Sequence, residues 1–125
     1  MKVINTPDAP KAIGPYSQAV IANGLLFTSG QIAINPKTNQ IEATAIEEQT
    51  KQVMENLKAL LAASNASFDK VVKTTIFLKD INTFGTVNEI YGSYFANHKP
   101  ARSTVEVARL PKDVLIEIEL IAKID

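Results

Sequence analysis

Apolar and polar residues alternate from Gln18 to Ala22 and again from Leu25 to Ile32, with Asn23-Gly24 between the two runs. Period-two alternation marks half-buried strands, and Asn-Gly is a strong hairpin signal because both residues tolerate positive φ. An antiparallel ribbon is therefore predicted near the start of the chain. Asn35-Pro36-Lys37-Thr38-Asn39-Gln40 reads as a polar turn, after which the period changes. Thr44-Ala45-Ile46-Glu47 has the form of a capping box, and Ile46, Val53, Leu57, Leu60 and Leu61 follow at helical spacing. Glu47 and Lys51 stand four apart, as an ion pair on a helix requires, and Ser64-Asn65 offers the end.

Val71 to Leu78 reads as a strand, and Asp80-Ile81-Asn82-Thr83 supplies caps for a second helix with Phe84, Val87, Ile90, Tyr91, Tyr94 and Phe95 inward. Lys99-Pro100 favours extended structure, Arg102 to Val107 reads as a strand, and Leu110-Pro111-Lys112-Asp113 as its turn. Val114 to Ile124 completes the pattern as a long last strand. On one of its faces Val114, Ile116, Ile118, Leu120, Ala122 and Ile124 are all apolar, whereas Leu115, Glu117, Glu119, Ile121 and Lys123 mix both characters on the other. Two helices cover only one face of such a sheet, so the mixed face calls for a second layer. A homo-oligomer that buries this face around a polar site fits it.

Length and composition narrow the field. A chain of 125 residues with 46% hydrophobic content suits one domain spanning 1–125, with no repeat or linker. Its 13 basic and 13 acidic residues cancel, which gives no electrostatic footprint for nucleic acid or an anionic membrane. No cysteine is present, so disulfides, thiolate nucleophiles and thiolate metal sites are excluded. No apolar run reaches signal-peptide or membrane-spanning character, and the cytoplasm is the expected compartment. His98 is the only histidine, which removes a histidine-rich zinc site, and its plain reading is a surface residue at a helix end. Phosphate-binding glycine loops and the Gly-x-Ser-x-Gly elbow are missing too. Any catalysis is expected to use ordinary side chains and water, without metal or cofactor.

An arginine on a strand, acidic residues beyond the next turn and a Gly-Pro-Tyr-Ser turn remain as chemistry. Arg102 offers a planar fork of donors that grips a carboxylate, and Glu117 could orient a water. In a hairpin centred near Arg109 and Leu110, positions 102 and 117 would face one another. The same geometry would equally make them a cross-strand ion pair with no further purpose. Tyr16, in Gly14-Pro15-Tyr16-Ser17, reads as packing or as a pocket residue. Ser29-Gly30 reads as a bulge or as a place where backbone and hydroxyl meet a ligand. Tyr91, Tyr94 and Phe95 keep core spacing and read as core rather than as a binding box.

Five segments carry a resemblance. These are Ala12-Ile13-Gly14-Pro15-Tyr16-Ser17-Gln18, Thr28-Ser29-Gly30-Gln31-Ile32, Val72-Lys73-Thr74-Thr75, Pro100-Ala101-Arg102-Ser103-Thr104-Val105-Glu106-Val107, and Leu110-Pro111-Lys112-Asp113 with Ile116-Glu117-Ile118-Glu119. Along essentially its whole length the chain resembles the RidA (YjgF) family of reactive intermediate deaminases. The resemblance implies an α+β fold like the bacillus-type chorismate mutase, with two helices on one sheet face and a homotrimer packed through the other. It implies cofactor-free hydrolysis of enamines and imines such as 2-aminoacrylate and 2-iminopropanoate to 2-keto acids and ammonia. Carried over by position, Arg102 would bind the substrate carboxylate and Glu117 would direct the water. Tyr16, Ser29, Gly30, Asn88 and Thr104 would line the site, at a boundary between subunits. Thr104 stands where many relatives carry cysteine, which removes any thiol-dependent step here. A metabolite sensor of 2-keto acids, or a module for a protein partner, is the competing class. Ribonuclease activity is the weakest reading, given the balanced charge.

Overall fold

The computed structural model describes all residues, 1–125. Six strands form one sheet: β1 (Lys2–Ile4), β2 (Ala19–Ala22), β3 (Leu25–Thr28), β4 (Val71–Leu78), β5 (Ala101–Glu106) and β6 (Ile116–Lys123). Helix α1 (Ile46–Ala63) and helix α2 (Phe84–Ser93) complete an α+β fold. The spatial order is β1-β2-β3-β6-β4-β5. Every neighbouring pair is antiparallel except β4 and β5, which run parallel.

The predicted ribbon forms, with Ala22 opposite Leu25 and both Asn23 (φ 50°) and Gly24 (φ 74°) in the left-handed region. That turn twists in the same sense as the strands it joins. β3 ends at Thr28, short of the expected Ile32, and pairing resumes only as a bridge between Gln31 and Ile118. β1 has three residues, too few for alternation to register in the sequence.

Helix α1 starts where expected but not by the expected cap. Its N-cap is Ala45, whose side chain makes no capping bond; instead the buried Gln49 Nε2 donates to the Ala43 carbonyl at 3.0 Å. Glu47 and Lys51 form no ion pair, consistent with the small gain an exposed pair offers. The helix ends at Ser64, with Asn65 at φ 55°. Val53, Leu57, Leu60 and Leu61 are buried as predicted, each contributing about 1.5–3 kcal/mol by removal from water. Ile76, Leu78, Ile116, Ile118 and Leu120 answer them from β4 and β6. From α2 and the chain just after it, Val87, Tyr91 and Phe95 join this core, while Phe84, Ile90 and Tyr94 are half-buried. His98, five residues beyond the end of α2 rather than at it, is also half-buried, its Nε2 at 2.5 Å from the Val71 carbonyl, so it is a fixed residue rather than a free surface one. No helix is long and apolar enough to cross a membrane.

One expectation fails in an instructive way. β5 and β6 are not a hairpin, because β4 lies between them: Arg102 is opposite Thr74 of β4, and Glu117 is opposite Phe77 of the same strand. β4, α2 and β5 form a β-α-β crossover, which returns β5 parallel to β4 at the sheet edge. The chain then passes β4 to insert β6 beside β3, where β6 finds a partner on each side.

Directly paired residues share a face. The face away from the helices carries Val3, Val20, Phe27 and Ile121 in one paired row, with Phe77, Glu117 and Val105 in another. Val3 is 55% exposed, Val105 42% and Phe27 38%. The mixed face foreseen in the last strand is therefore bare in the single chain.

Candidate active site

The first group of predicted residues gathers on the helix-covered side of β5. Arg102 pairs with the buried Thr74 and so projects toward α2. Its Nη1 donates to Asn88 Oδ1 at 2.6 Å, and its Cζ lies 5.0 Å from the ring centroids of both Phe84 and Tyr91. Phe84, Asn88 and Tyr91 are spaced by four and three residues, one stripe of α2, so the helix supplies two aromatic faces and an amide to one guanidinium. Tyr91 is pinned through its hydroxyl, 2.8 Å from Thr74 Oγ1 in the core. Burial pushes the Tyr91 phenol up, against opposing effects of the Thr74 hydrogen bond and the Arg102 charge. Among the five N–H donors of Arg102 only the one to Asn88 is used within the chain, and the residue is exposed. Two residues along, on the same face, Thr104 Oγ1 is the one buried side-chain polar atom without a partner.

The second group lies on the bare face. The chain leaves the ladder after Thr28, whose Oγ1 accepts from Leu120 N–H at 3.0 Å. Ser29 N–H donates to the Gln18 carbonyl at 2.9 Å and Ser29 Oγ to the Ser17 carbonyl at 2.6 Å. Gln31 then re-enters the sheet with bonds of 2.8 and 3.1 Å to Ile118. Gly30 sits at the gap, and the Glu117 carboxyl fills the space a side chain there would need: a Cβ would meet Glu117 Cδ at 2.8 Å and its Oε2 closer still. This close approach, rather than backbone freedom, is what glycine provides here. Burial, and secondarily the neighbouring Glu119, pushes the Glu117 carboxyl above its ordinary value.

A cavity of about 580 Å³ opens over this gap, with Tyr16, Ser29, Gly30, Ile32, Lys112 and Glu117 among its walls. The wall carrying Tyr16 is held by Gln18, which the sequence did not single out. The Gln18 amide takes Thr6 N–H at 2.8 Å and gives to the carbonyls of Thr6, Ala9 and Pro10 at 2.9–3.3 Å. A polar amide amid apolar neighbours gave no sequence signal, since its partners come from 8 to 12 residues away. A larger groove of about 700 Å³, between Asp8, Lys37 and α1, holds none of the predicted residues.

The expected residues thus fall into two sets, Arg102 with Asn88 and Thr104, and Glu117 with Gly30, Ser29 and Tyr16. The sets lie on opposite faces of the sheet, about 10 Å apart along β4 and about 10 Å across it. The ion-pair alternative for Arg102 and Glu117 is thereby excluded, and no such bridge exists. No group of three or more acidic or histidine side chains converges in a way that could hold a metal ion. The rings of Phe84 and Tyr91, which periodicity assigns to the core, turn out to serve the arginine as well.

Comparison with known proteins places the fold in a family. The family profile described as Endoribonuclease L-PSP matches residues 6–124. The 2-iminobutanoate/2-iminopropanoate deaminase of Escherichia coli K12 is 51% identical over 124 residues, covering 97% of this chain and 96% of the relative. A Rid-family protein of unknown function from Yersinia pestis superposes with a TM-score of 0.97 at 53% identity, covering 98% of each chain. Escherichia coli TdcF with bound serine superposes with a TM-score of 0.94 at 45% identity over the full length of both chains. With a profile match across nearly all its length and relatives above half identity, this chain belongs to the Rid (YjgF) family, whose members include named imine deaminases.

Proposed function

We propose that this protein hydrolyses 2-imino acids, the tautomers of enamines such as 2-aminoacrylate, to 2-keto acids and ammonia, at sites that each combine two copies of the chain. The observation that carries the proposal is the separation of an unpaired arginine fork from a desolvated carboxyl on opposite faces of one sheet. Each is half of what the reaction needs. The apolar row of exposed Val3 and Phe27 with half-buried Val20 between them gives copies a reason to pack through the open face, which brings one copy's β5 edge toward another's Glu117. A closed ring of three copies, as the family resemblance implies, does this with identical contacts.

In this reading, Arg102 binds the substrate carboxylate through two parallel N–H donors while Asn88 and the two rings hold the guanidinium still. Tyr16, Ser29, Gly30 and Thr104 line the space around the imine carbon. Glu117, with its raised proton affinity, takes a proton from water as the oxygen adds to the protonated imine carbon. Glu117 then returns that proton to the carbinolamine nitrogen, the C–N bond breaks as the C=O bond forms, ammonia leaves, and the hydroxyl proton passes back to the Glu117 carboxylate and on to water. Water supplies the oxygen of the 2-keto acid, and no redox change occurs. Imines also hydrolyse unaided in water, so positioning and one proton relay suffice for a useful acceleration. The deaminase name of the Escherichia coli relative supports this choice over ribonuclease chemistry.

The test generates 2-iminopropanoate with an amino-acid oxidase and follows its disappearance. Acceleration that is lost in Arg102→Ala supports the proposal. Wild-type protein that binds 2-keto acids but leaves imine decay unchanged would make it a metabolite sensor instead.

A further inference from the structure

Backbone strain at the cavity rim is the feature this reaction scheme leaves unused. Five non-glycine residues have positive φ: Asn23, Asn39, Asn65, Lys112 and Asp113. Asparagine and aspartate tolerate that region because their short polar side chains bond locally, whereas a lysine there is strained. Lys112 is the only one of the five without such a side chain, and it is followed by a second left-handed residue. Packing does not compel this geometry, since Pro111, Lys112 and Asp113 are all exposed. The turn is fixed at its ends instead. Leu110 and Val114 are buried, Asp113 N–H donates to the Leu110 carbonyl at 3.0 Å, and Arg109 grips Asp113 with bonds of 2.6 and 3.1 Å.

With Asp113 held by Arg109, the strained backbone places Lys112 on the wall of the Glu117 cavity. Its ammonium has neither a hydrogen bond nor an ion pair. The charged lining of that cavity is Lys11, Lys112 and Glu117, so its mouth is cationic. Strain kept at a functional rim without a packing reason indicates a role in binding.

We infer that Lys112 is a capture residue: it draws the substrate carboxylate from solvent to the cavity mouth before Arg102 receives it. The inference rests on the proposed deaminase reading for its substrate but not for its test. A substrate that decays unaided in water makes the rate of capture matter, and a cation at a cavity mouth raises that rate.

Binding of pyruvate, the stable product anion, to the whole protein measures capture directly. Lys112→Asn removes the charge with a residue suited to positive φ, and is expected to weaken binding about threefold to tenfold at low salt. Added NaCl should weaken pyruvate binding more steeply in the wild type than in this variant, and Lys112→Arg should restore both affinity and salt dependence. Lys112→Gly should raise Tm while losing capture, because strain is relieved along with the charge. In imine turnover, the Lys112→Asn loss should fall on KM rather than kcat. Equal affinities and salt slopes for wild type and Lys112→Asn would overturn the inference, as would a wild type that does not bind pyruvate. Normal capture without imine turnover would instead overturn the deaminase reading and leave capture standing.

Discussion

Arg102 and Glu117 are readied by opposite means on opposite faces of one sheet. Arg102 is exposed on an edge strand, and its order comes from neighbours on a helix: two ring faces at 5.0 Å and the Asn88 oxygen at 2.6 Å. Glu117 stands on a central strand, and its condition comes from what is missing, a side chain at Gly30 and a full water shell. The cation keeps its charge and gains orientation, whereas the carboxyl is pushed toward its neutral form. A carboxylate clamp needs the first treatment and a proton relay near neutral pH the second. That difference assigns the roles and predicts how each half fails.

The largest effect is expected from Arg102→Ala, about a 10²–10³-fold loss in kcat/KM for imine hydrolysis, the scale of two charge-assisted hydrogen bonds. Circular dichroism and Tm should scarcely change, because the residue is exposed. Arg102→Lys should recover little, since a point charge cannot replace the fork between the rings.

Glu117→Gln should cost about 10²-fold, mainly in kcat. The sign of its pH dependence follows from burial. With its proton held more tightly than usual, Glu117 loses base function as pH falls, so the acidic limb of kcat should lie above the ordinary carboxylate range and vanish in the variant. For stability the same shift acts oppositely: the unfolded chain releases this proton first, so the contribution of Glu117 to stability declines as pH rises through its folded-state value. Glu117→Gln should therefore equal or exceed the wild type in Tm at neutral pH.

Gly30→Ala separates the carboxyl from its setting. The new methyl meets a flexible side chain rather than backbone, so Glu117 gives way and the fold survives. A loss of about tenfold in kcat is expected, with little change in KM. The smallest effect belongs to Tyr91→Phe, which removes the bond to Thr74 at a cost of about 1 kcal/mol in stability but leaves a ring under Arg102. Its activity should stay within about twofold, whereas Tyr91→Leu, lacking the ring, should lose more.

Much of the fold was legible because its signals were local. Asn23-Gly24 specified a turn, Val71 to Leu78 a strand, and the spacing of Val53, Leu57, Leu60 and Leu61 a helix face, and each forms as expected. What failed depended on distant partners. Thr44 offered a capping box, but the helix starts after Ala45 with no side-chain cap, and Gln49 reaches back to donate to the Ala43 carbonyl. The turn Leu110-Pro111-Lys112-Asp113 suggested that β5 and β6 pair, while sheet order is decided by which strand gains two neighbours. Arg102 and Glu117 stood out as residue types suited to the chemistry, yet their faces depended on that sheet order. The rings of Phe84 and Tyr91 were visible in the spacing but read as core, because periodicity reports burial and says nothing of a guanidinium lying over the rings.

The central claim is that one site draws Arg102 and Glu117 from different copies, and mixing impaired variants tests it most directly. Arg102→Ala and Glu117→Gln proteins, each strongly impaired alone, are unfolded together, refolded together and assayed for 2-iminopropanoate hydrolysis. Mixed assemblies are expected to regain a substantial part of wild-type activity, because some boundaries then pair an intact Arg102 with an intact Glu117. A mixture as impaired as its two parents, with mixed assembly verified by mass, would contradict the account.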